Sequence, residues 1–352
     1  MMRGMVLAVL LLAASLPVSA QLPETVTTTV APLVQKVTPA VVNISIRAVS
    51  PAAENPLLND PFFRRFFDLP RMPKRETRAA GSGVIVDARN GYVLTNNHVV
   101  EEADRIDVTT KDNRTFRAKL VGRDEATDIA VLKIDGNSLF DIPMSNSDKV
   151  QVGDFVLAIG NPFGLGQTVT SGMVSAIGRS GLGIEGYEDF IQTDASINPG
   201  NSGGALVNFK GELIGINTAI LAPGGGNIGI GFAVPINMAR SVMQQLVQHG
   251  SVHRGRIGIA IQDLTPDLAG KLGTDRAQGA AVVHVEPGSP AARAGLKPGD
   301  VVLAVNGDEV RSATELRNRI GLTRVGSRLE LAVDRAGRQQ NLEVKVEAAA
   351  QE

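Results

Sequence analysis

Cysteine is absent from the 352 residues, which excludes disulfides, thiolate metal sites, iron–sulfur clusters and a cysteine nucleophile. Covalent catalysis, if any, must use Ser, Thr, Lys or a carboxylate. An excess of charge is lacking too: 35 Lys+Arg against 36 Asp+Glu leave a net −1, so no global field selects nucleic acid or an anionic membrane surface. Histidine is scarce, and His98, His249, His253 and His284 are the only imidazoles for general-base work near neutral pH. No apolar run reaches the roughly 20 residues that cross a bilayer. The run Met5 to Leu16 follows Arg3 and precedes Pro17 and Val18-Ser19-Ala20. Residues 1–20 therefore read as a secretory signal cleaved after Ala20, leaving no stable membrane anchor. An exported chain without cysteine fits the bacterial periplasm.

What is present is ordinary globular composition, 43% hydrophobic and 20% charged, in a length that suits two domains. Short Val- and Ile-rich runs bounded by Gly, Asn, Asp or Pro predict about a dozen strands between Val41 and Val234. A pair of β-barrels is the simplest packing for them. Helical periodicity becomes clear at Ile236 to His249, where Ala239, Val242, Met243, Leu246 and Val247 share a face and Gly250 supplies a stop. Beyond it, Gly255 to Glu347 mixes strands with short helices at Ser289–Ala294 and Ala313–Ile320, the pattern of a small α+β module. Residues 47–81 show no strand pattern. There Pro61-Phe62-Phe63-Arg64-Arg65-Phe66-Phe67 suits either a stacking platform for nucleic acid or membrane, or a mobile loop over an active site or neighbouring subunit; the lack of helix caps favours the loop.

The strongest chemical signal is Asn198-Pro199-Gly200-Asn201-Ser202-Gly203-Gly204, a lone serine among glycines before a strand. Glycine permits a tight turn that aims backbone N–H groups beside the hydroxyl, as an oxyanion hole requires. The histidine preceding it is His98, at a strand end in Thr95-Asn96-Asn97-His98-Val99-Val100. Between them Asp128 opens the strand Ile129 to Leu132 and could fix the imidazole tautomer. Two decoys fail on context. Gly200-x-Ser202-x-Gly204 is followed by a strand, whereas a nucleophile elbow needs a helix. Gly224-x-Gly226-x-x-Gly229 runs into Phe232-Ala233-Val234-Pro235, a glycine hairpin closed by proline rather than a dinucleotide site.

Thr95 to Val100, Asp128-Ile129-Ala130, Gly160-Asn161-Pro162-Phe163-Gly164 and Gly200 to Leu206 together resemble the HtrA (Deg) serine proteases. Ser289-Pro290-Ala291 through Gly299-Asp300-Val301-Val302 and Val305-Asn306-Gly307 resemble a PDZ domain. The resemblance implies a chymotrypsin-like double six-stranded β-barrel at 41–250, within which 47–81 is read as the mobile insertion loop, and one α+β PDZ domain at 251–348. Residues 21–40 form an N-terminal segment and 349–352 a tail. It further implies an ATP-independent endopeptidase needing no cofactor, acting on unfolded or misfolded polypeptides, with a homotrimer as the basic assembly and no nucleic acid partner. A site-specific protease of an envelope stress response and a holdase are the alternative roles.

The same resemblance places the triad on His98, Asp128 and Ser202 and the oxyanion hole on the N–H groups of Gly200, Asn201 and Ser202. Ser196 stands where trypsin-like enzymes carry an acidic specificity residue, so no cation is expected in the pocket. With Ile216, Asn217 and Thr218 as walls, that pocket should be narrow and take Val or Ala. Asn201 cannot form the ion pair that activates chymotrypsin-like zymogens, which turns attention to the loop Gly178–Asp189. Its Arg179 is expected to contact backbone near the oxyanion hole. Peptide C-termini are expected at Arg254, Gly255, Arg256, Ile257, Gly258 and Ile259, with Arg254 adding charge.

Overall fold

The computed structural model describes residues 29–51, 74–161, 166–182, 185–198, 200–220 and 229–349. The signal at 1–20, the Phe-rich stretch Pro61–Phe67, and Gly224 and Gly226 of the glycine hairpin lie outside the described residues.

After a short helix α1 (Ala31–Val37), seven strands form the first sheet: β1 (Val41–Pro51), β2 (Lys74–Asp87), β3 (Tyr92–Thr95), β4 (Arg105–Thr109), β5 (Thr115–Arg117), β6 (Lys119–Asp124) and β7 (Ile129–Lys133). Their order is β5-β4-β1-β2-β3-β7-β6. Only Ala118 separates β5 from β6, and its N–H still donates to Ile106. Counted as one strand broken at Ala118, the pair brings the sheet back on itself as a six-stranded barrel. The helical turn α2 (Asn97–Val100) follows β3. The second barrel closes in the order β10-β13-β12-β11-β8-β9. Its members are β8 (Phe155–Gly160), β9 (Thr168–Arg179), β10 (Phe190–Thr193), β11 (Ala205–Asn208), β12 (Leu213–Ile220) and β13 (Gly231–Pro235).

The continuous apolar run of β8 has a packing reason. Val156 and Ala158 face the interior of the second barrel, while Leu157 and Ile159 join the core where the barrels meet. A strand buried on both faces needs no polar alternation. The strandless reading of 47–81 is corrected at both ends, because β1 and β2 stay paired from Val41 opposite Val84 out to Pro51 opposite Lys74. The strand β4 pairs with β1 only as far as Arg47, so among the described residues the outer ribbon has no third strand and its sequence carries no apolar alternation to betray it.

The predicted helix appears as α3 (Ile236–His249), ended by Gly250 in the left-handed region at φ 74°. A smaller unit follows: β14 (Gly255–Arg256), β15 (Ile259–Asp263), α4 (Pro266–Leu272), β16 (Ala280–Val285), α5 (Pro290–Arg293), β17 (Val301–Val305), β18 (Asp308–Glu309), α6 (Ala313–Leu322), β19 (Arg328–Arg335), β20 (Arg338–Lys345) and β21 (Glu347–Ala348). Its own core gathers Ile257, Val282, Leu316, Leu331 and Val344. In its main sheet β15 is an edge strand, open on the side away from β16. Helix α6 lies between this core and the barrels, where Asn318 donates to the Glu188 carbonyl at 2.9 Å.

Candidate active site

His98 sits on the turn α2 rather than on a loop, and it is 4% exposed. The turn is tied to Asp128 through the backbone: the Asn97 N–H and the Asn96 side-chain amide both donate to the Asp128 carbonyl, at 3.1 and 3.0 Å. Asp128 is held in the left-handed region at φ 54°, ψ 38°, a conformation that costs a non-glycine residue energy and recurs at functional sites. That twist lets its carboxylate face back across α2. Oδ1 accepts the His98 backbone N–H at 3.0 Å, and His98 Nδ1 lies 2.8 Å from Oδ2.

A partner from the other barrel completes the cluster. The Thr218 hydroxyl donates to Asp128 Oδ2 at 2.6 Å, with Asp128 fully buried. Burial alone would raise this carboxyl. The charge and hydrogen bonds of His98, together with the Thr218 hydroxyl, overcome burial and hold it below the usual carboxylate value. Asp128 therefore stays ionised, accepts the Nδ1 proton, and leaves Nε2 as the basic nitrogen. Ser202, 5% exposed, donates its hydroxyl to the Thr218 carbonyl at 3.2 Å. Through Thr218 the structure thus brings His98, Asp128 and Ser202 together where the barrels meet.

The turn around Ser202 corrects one expectation. The Asn201 N–H donates to the Asn198 carbonyl at 2.9 Å, so it is spent inside the turn and unavailable to a substrate oxygen. No described hydrogen bond takes up the N–H of Gly200 or of Ser202. Gly200 at φ 94° and Gly203 at φ 81° occupy backbone geometry suited to glycine. At Gly203 a Cβ would come within 2.1 Å of the Ser82 carbonyl oxygen.

The expected pocket walls are reassigned as well. Ile216 is fully buried in the core between the barrels. Asn217 donates its amide to the Ala205 carbonyl at 3.0 Å. Thr218 serves the carboxylate, a role sequence reasoning missed; a hydroxyl residue 16 positions after the nucleophile was the only available signal. Ser196 is half-buried and its carbonyl accepts the Thr170 hydroxyl at 2.8 Å. Arg179 is bonded to the Gln192 side chain at 2.9 Å, at the exposed end of β9, rather than to the backbone near Ser202.

The peptide-binding expectation divides. Arg254 is committed to Asp124 of the first barrel at 2.6 Å and lies over the Tyr187 ring at 4.3 Å, so it braces the two units instead of offering charge to a carboxylate. Arg256 pairs with Glu286 at 3.0 Å. Ile257 packs in the core of the smaller unit, and half-buried Ile259 and Ile261 pack against it. Gly258, at φ 77°, approaches Ser289 so closely that a Cβ would meet the Ser289 Cβ at 2.4 Å. The Gly255–Ile259 segment and the open edge of β15 still form a place where an extended peptide could add a strand beside α6.

Comparison with known proteins gives the same two-part description. The trypsin-like peptidase domain family matches residues 81–216, and the PDZ domain family matches residues 255–346. The periplasmic pH-dependent serine endoprotease DegQ of Escherichia coli is 51% identical over 91% of this chain and 70% of its own length. The periplasmic serine endoprotease DegP of Escherichia coli is 46% identical over 95% of this chain and 77% of its own length. A solved structure of the HtrA-type protease AlgW with a decapeptide is 46% identical, covers 92% of this chain and all of that chain, and superposes with a TM-score of 0.65. With a trypsin-like peptidase domain followed by a PDZ domain, serine endoproteases 46–51% identical over nine-tenths of its length, and a fold shared with an HtrA-type protease, the chain belongs to the HtrA (Deg) family of serine endoproteases.

Proposed function

We propose that this endoprotease degrades unfolded or misfolded polypeptides in the periplasm through an acyl-enzyme, with Ser202 as nucleophile, His98 as general base and Asp128 as the group that orients His98. The observation that carries the reading is the buried carboxylate holding His98 Nδ1 at 2.8 Å while a glycine turn presents Ser202 beside it. Rotation of the serine hydroxyl away from the Thr218 carbonyl delivers its proton to Nε2. The oxygen attacks the scissile carbonyl, and the N–H groups of Gly200 and Ser202 receive the developing oxyanion. Imidazolium returns the proton to the leaving amine. Water, deprotonated by the same nitrogen, then releases the acyl group and restores Ser202. Ser196 brings no carboxylate to the specificity pocket, so cleavage after uncharged residues, Val and Ala among them, is favoured over cleavage after Lys or Arg.

The PDZ unit binds peptide C-termini along β15, with the backbone of Arg256 to Ile259 receiving the carboxylate. Assembly as a homotrimer is supported by an exposed apolar surface on the second barrel. Phe155 and Phe209 stack at 5.6 Å while 60% and 49% exposed, and Met173 sits opposite Phe155 in the register. Periplasmic location rests on the segment 1–20 and on the two Escherichia coli relatives, both named as periplasmic. No helix among the described residues is long and apolar enough to cross a membrane.

Mass spectrometry of casein incubated with wild type and with Ser202→Ala tests the reading. Fragments ending in Val or Ala are expected from wild type alone. Equal fragmentation by both proteins removes Ser202 from the chemistry, and suppression of casein aggregation without any fragments replaces proteolysis by holding.

A further inference from the structure

The four successive peptide groups from Gly200–Asn201 to Gly203–Gly204 in the nucleophile turn are pinned by backbone bonds. Asn201 N–H donates to Asn198, Gly204 N–H to the Asn201 carbonyl, and Gly203 N–H to Asn217, all at 2.8 to 2.9 Å. The Ser202 carbonyl accepts from the Ser82 N–H at 2.9 Å. Ser82 belongs to β2 in the first barrel, and it is fully buried. Its hydroxyl does something further. It donates to the Gly200 carbonyl at 2.5 Å and accepts the Asn161 N–H at 2.7 Å.

Those two bonds fix the hydroxyl completely. With Asn161 filling its acceptor side, the single proton is left for Gly200. The partners are themselves held: the Asn43 amide donates to the Asn161 carbonyl at 2.9 Å, and the Thr95 hydroxyl donates to the Ser82 carbonyl at 2.7 Å. Gly200 needs such a restraint because at φ 94° it has no Cβ to limit rotation of the neighbouring peptide groups. Its C=O is gripped by Ser82, and on the other side of the same peptide group the Asn201 N–H is gripped by Asn198. A rotation there would disturb the Gly200 and Ser202 N–H groups together, since they flank it.

We propose that Ser82 is a positioning residue for catalysis: through its hydroxyl the first barrel holds the Gly200–Asn201 peptide so that the Gly200 and Ser202 N–H groups face the tetrahedral oxyanion. This rests on the assignment of Ser202 as nucleophile. Ser82 touches neither substrate nor the transferred proton, so its effect belongs to the transition state and leaves ground-state binding and the basicity of His98 alone.

The test measures kcat and KM on a fluorogenic peptide, the inhibition constant of a peptide boronic acid that forms a tetrahedral adduct, and the acid limb of the pH profile. Wild type, Ser82→Ala and Ser82→Cys are compared, with Ser202→Ala as control. Losing an oxyanion donor outright costs about 10²–10³ in kcat; at one remove, Ser82→Ala should lower kcat about 10- to 100-fold. Boronate affinity should fall by the same factor, with KM within twofold and the acid limb unmoved. Ser82→Cys keeps the size with a weak donor, and the same parallel loss is expected there, so the reading survives if the alanine variant does not fold. An unchanged kcat overturns the proposal, as does a loss carried by KM, a moved acid limb, or a kcat loss with boronate affinity intact. Activity in Ser202→Ala would instead overturn the nucleophile assignment.

Discussion

Asp128→Asn changes the atom inventory of the site by one group, and the structure decides where that group goes. Oδ1 accepts the His98 backbone N–H at 3.0 Å, and Oδ2 accepts the Thr218 hydroxyl at 2.6 Å. An amide nitrogen in the Oδ1 place would set two buried donors against each other, at a cost of about 1–3 kcal/mol. In the Oδ2 place it meets a hydroxyl that can turn and accept. The nitrogen therefore occupies the Oδ2 place, 2.8 Å from His98 Nδ1, and donates to it. Although the Oδ1 place also lies 3.0 Å from Nδ1, the nearer amide donor favours the tautomer with the proton on Nε2, where His98 can no longer take one from Ser202. The preference of about 1–3 kcal/mol corresponds to about 5- to 150-fold against the working tautomer. Loss of the carboxylate charge adds to it: unit charges about 4 Å apart at an effective dielectric of about 20 interact by about 4 kcal/mol, or about 10³ in rate. The product is on the order of 10⁴ or more, in line with the cost of this substitution in a chymotrypsin-type triad. Initial rates on a fluorogenic peptide, with circular dichroism to verify the fold, measure it. A variant within tenfold of wild type that still needs Ser202 would refute the tautomer argument.

Gly203→Ala should cost about 2–5 kcal/mol, because the left-handed backbone is strained by a Cβ that also runs into the Ser82 carbonyl. A thermal midpoint unchanged within one or two degrees would contradict it. Asp189 lines a cleft of about 410 Å³ between α3 and α6. Burial, with the negative charge of Glu315 adding to it against Arg311 and Arg319, pushes its carboxyl up to about 7 from an ordinary 3.8. Below about pH 4 both folded and unfolded chains hold that proton; between there and about 7 only the folded chain does, so this stabilising contribution is lost as pH rises through about 7. Asp189→Asn should flatten the fall in thermal midpoint between about pH 4 and 7, and parallel curves for the two proteins would count against it. If the proposed homotrimer forms through the exposed face of the second barrel, Phe155→Asp should lower the sedimenting mass to that of a folded monomer, since it charges a side chain that is 60% exposed in the single chain; an unchanged mass would move the interface elsewhere.

The sequence by itself determined whatever is written in local pattern. Short Val- and Ile-rich runs bounded by turn residues set the strands, Ala239 to Val247 set α3, and glycines around Ser202 announced a turn that other residues could not make. The excluded chemistries, the few histidines and the order His98, Asp128, Ser202 narrowed the reaction to acyl transfer by serine. Tertiary structure decided whatever depends on which strand comes to lie beside which. Thr218 reaches Asp128 across 90 positions, Ser82 reaches Gly200 across 118, and Arg254 reaches Asp124 across 130. None of these carries a spacing that could be read in advance. A hydroxyl in a strand looks alike whether it faces a specificity pocket or a buried carboxylate, and an arginine before a PDZ loop looks alike whether it awaits a ligand or braces a neighbouring barrel. The difference is fixed by packing: where the two barrels meet, the Thr218 and Ser82 hydroxyls find their acceptors, Asp128 and Gly200, on the opposite barrel.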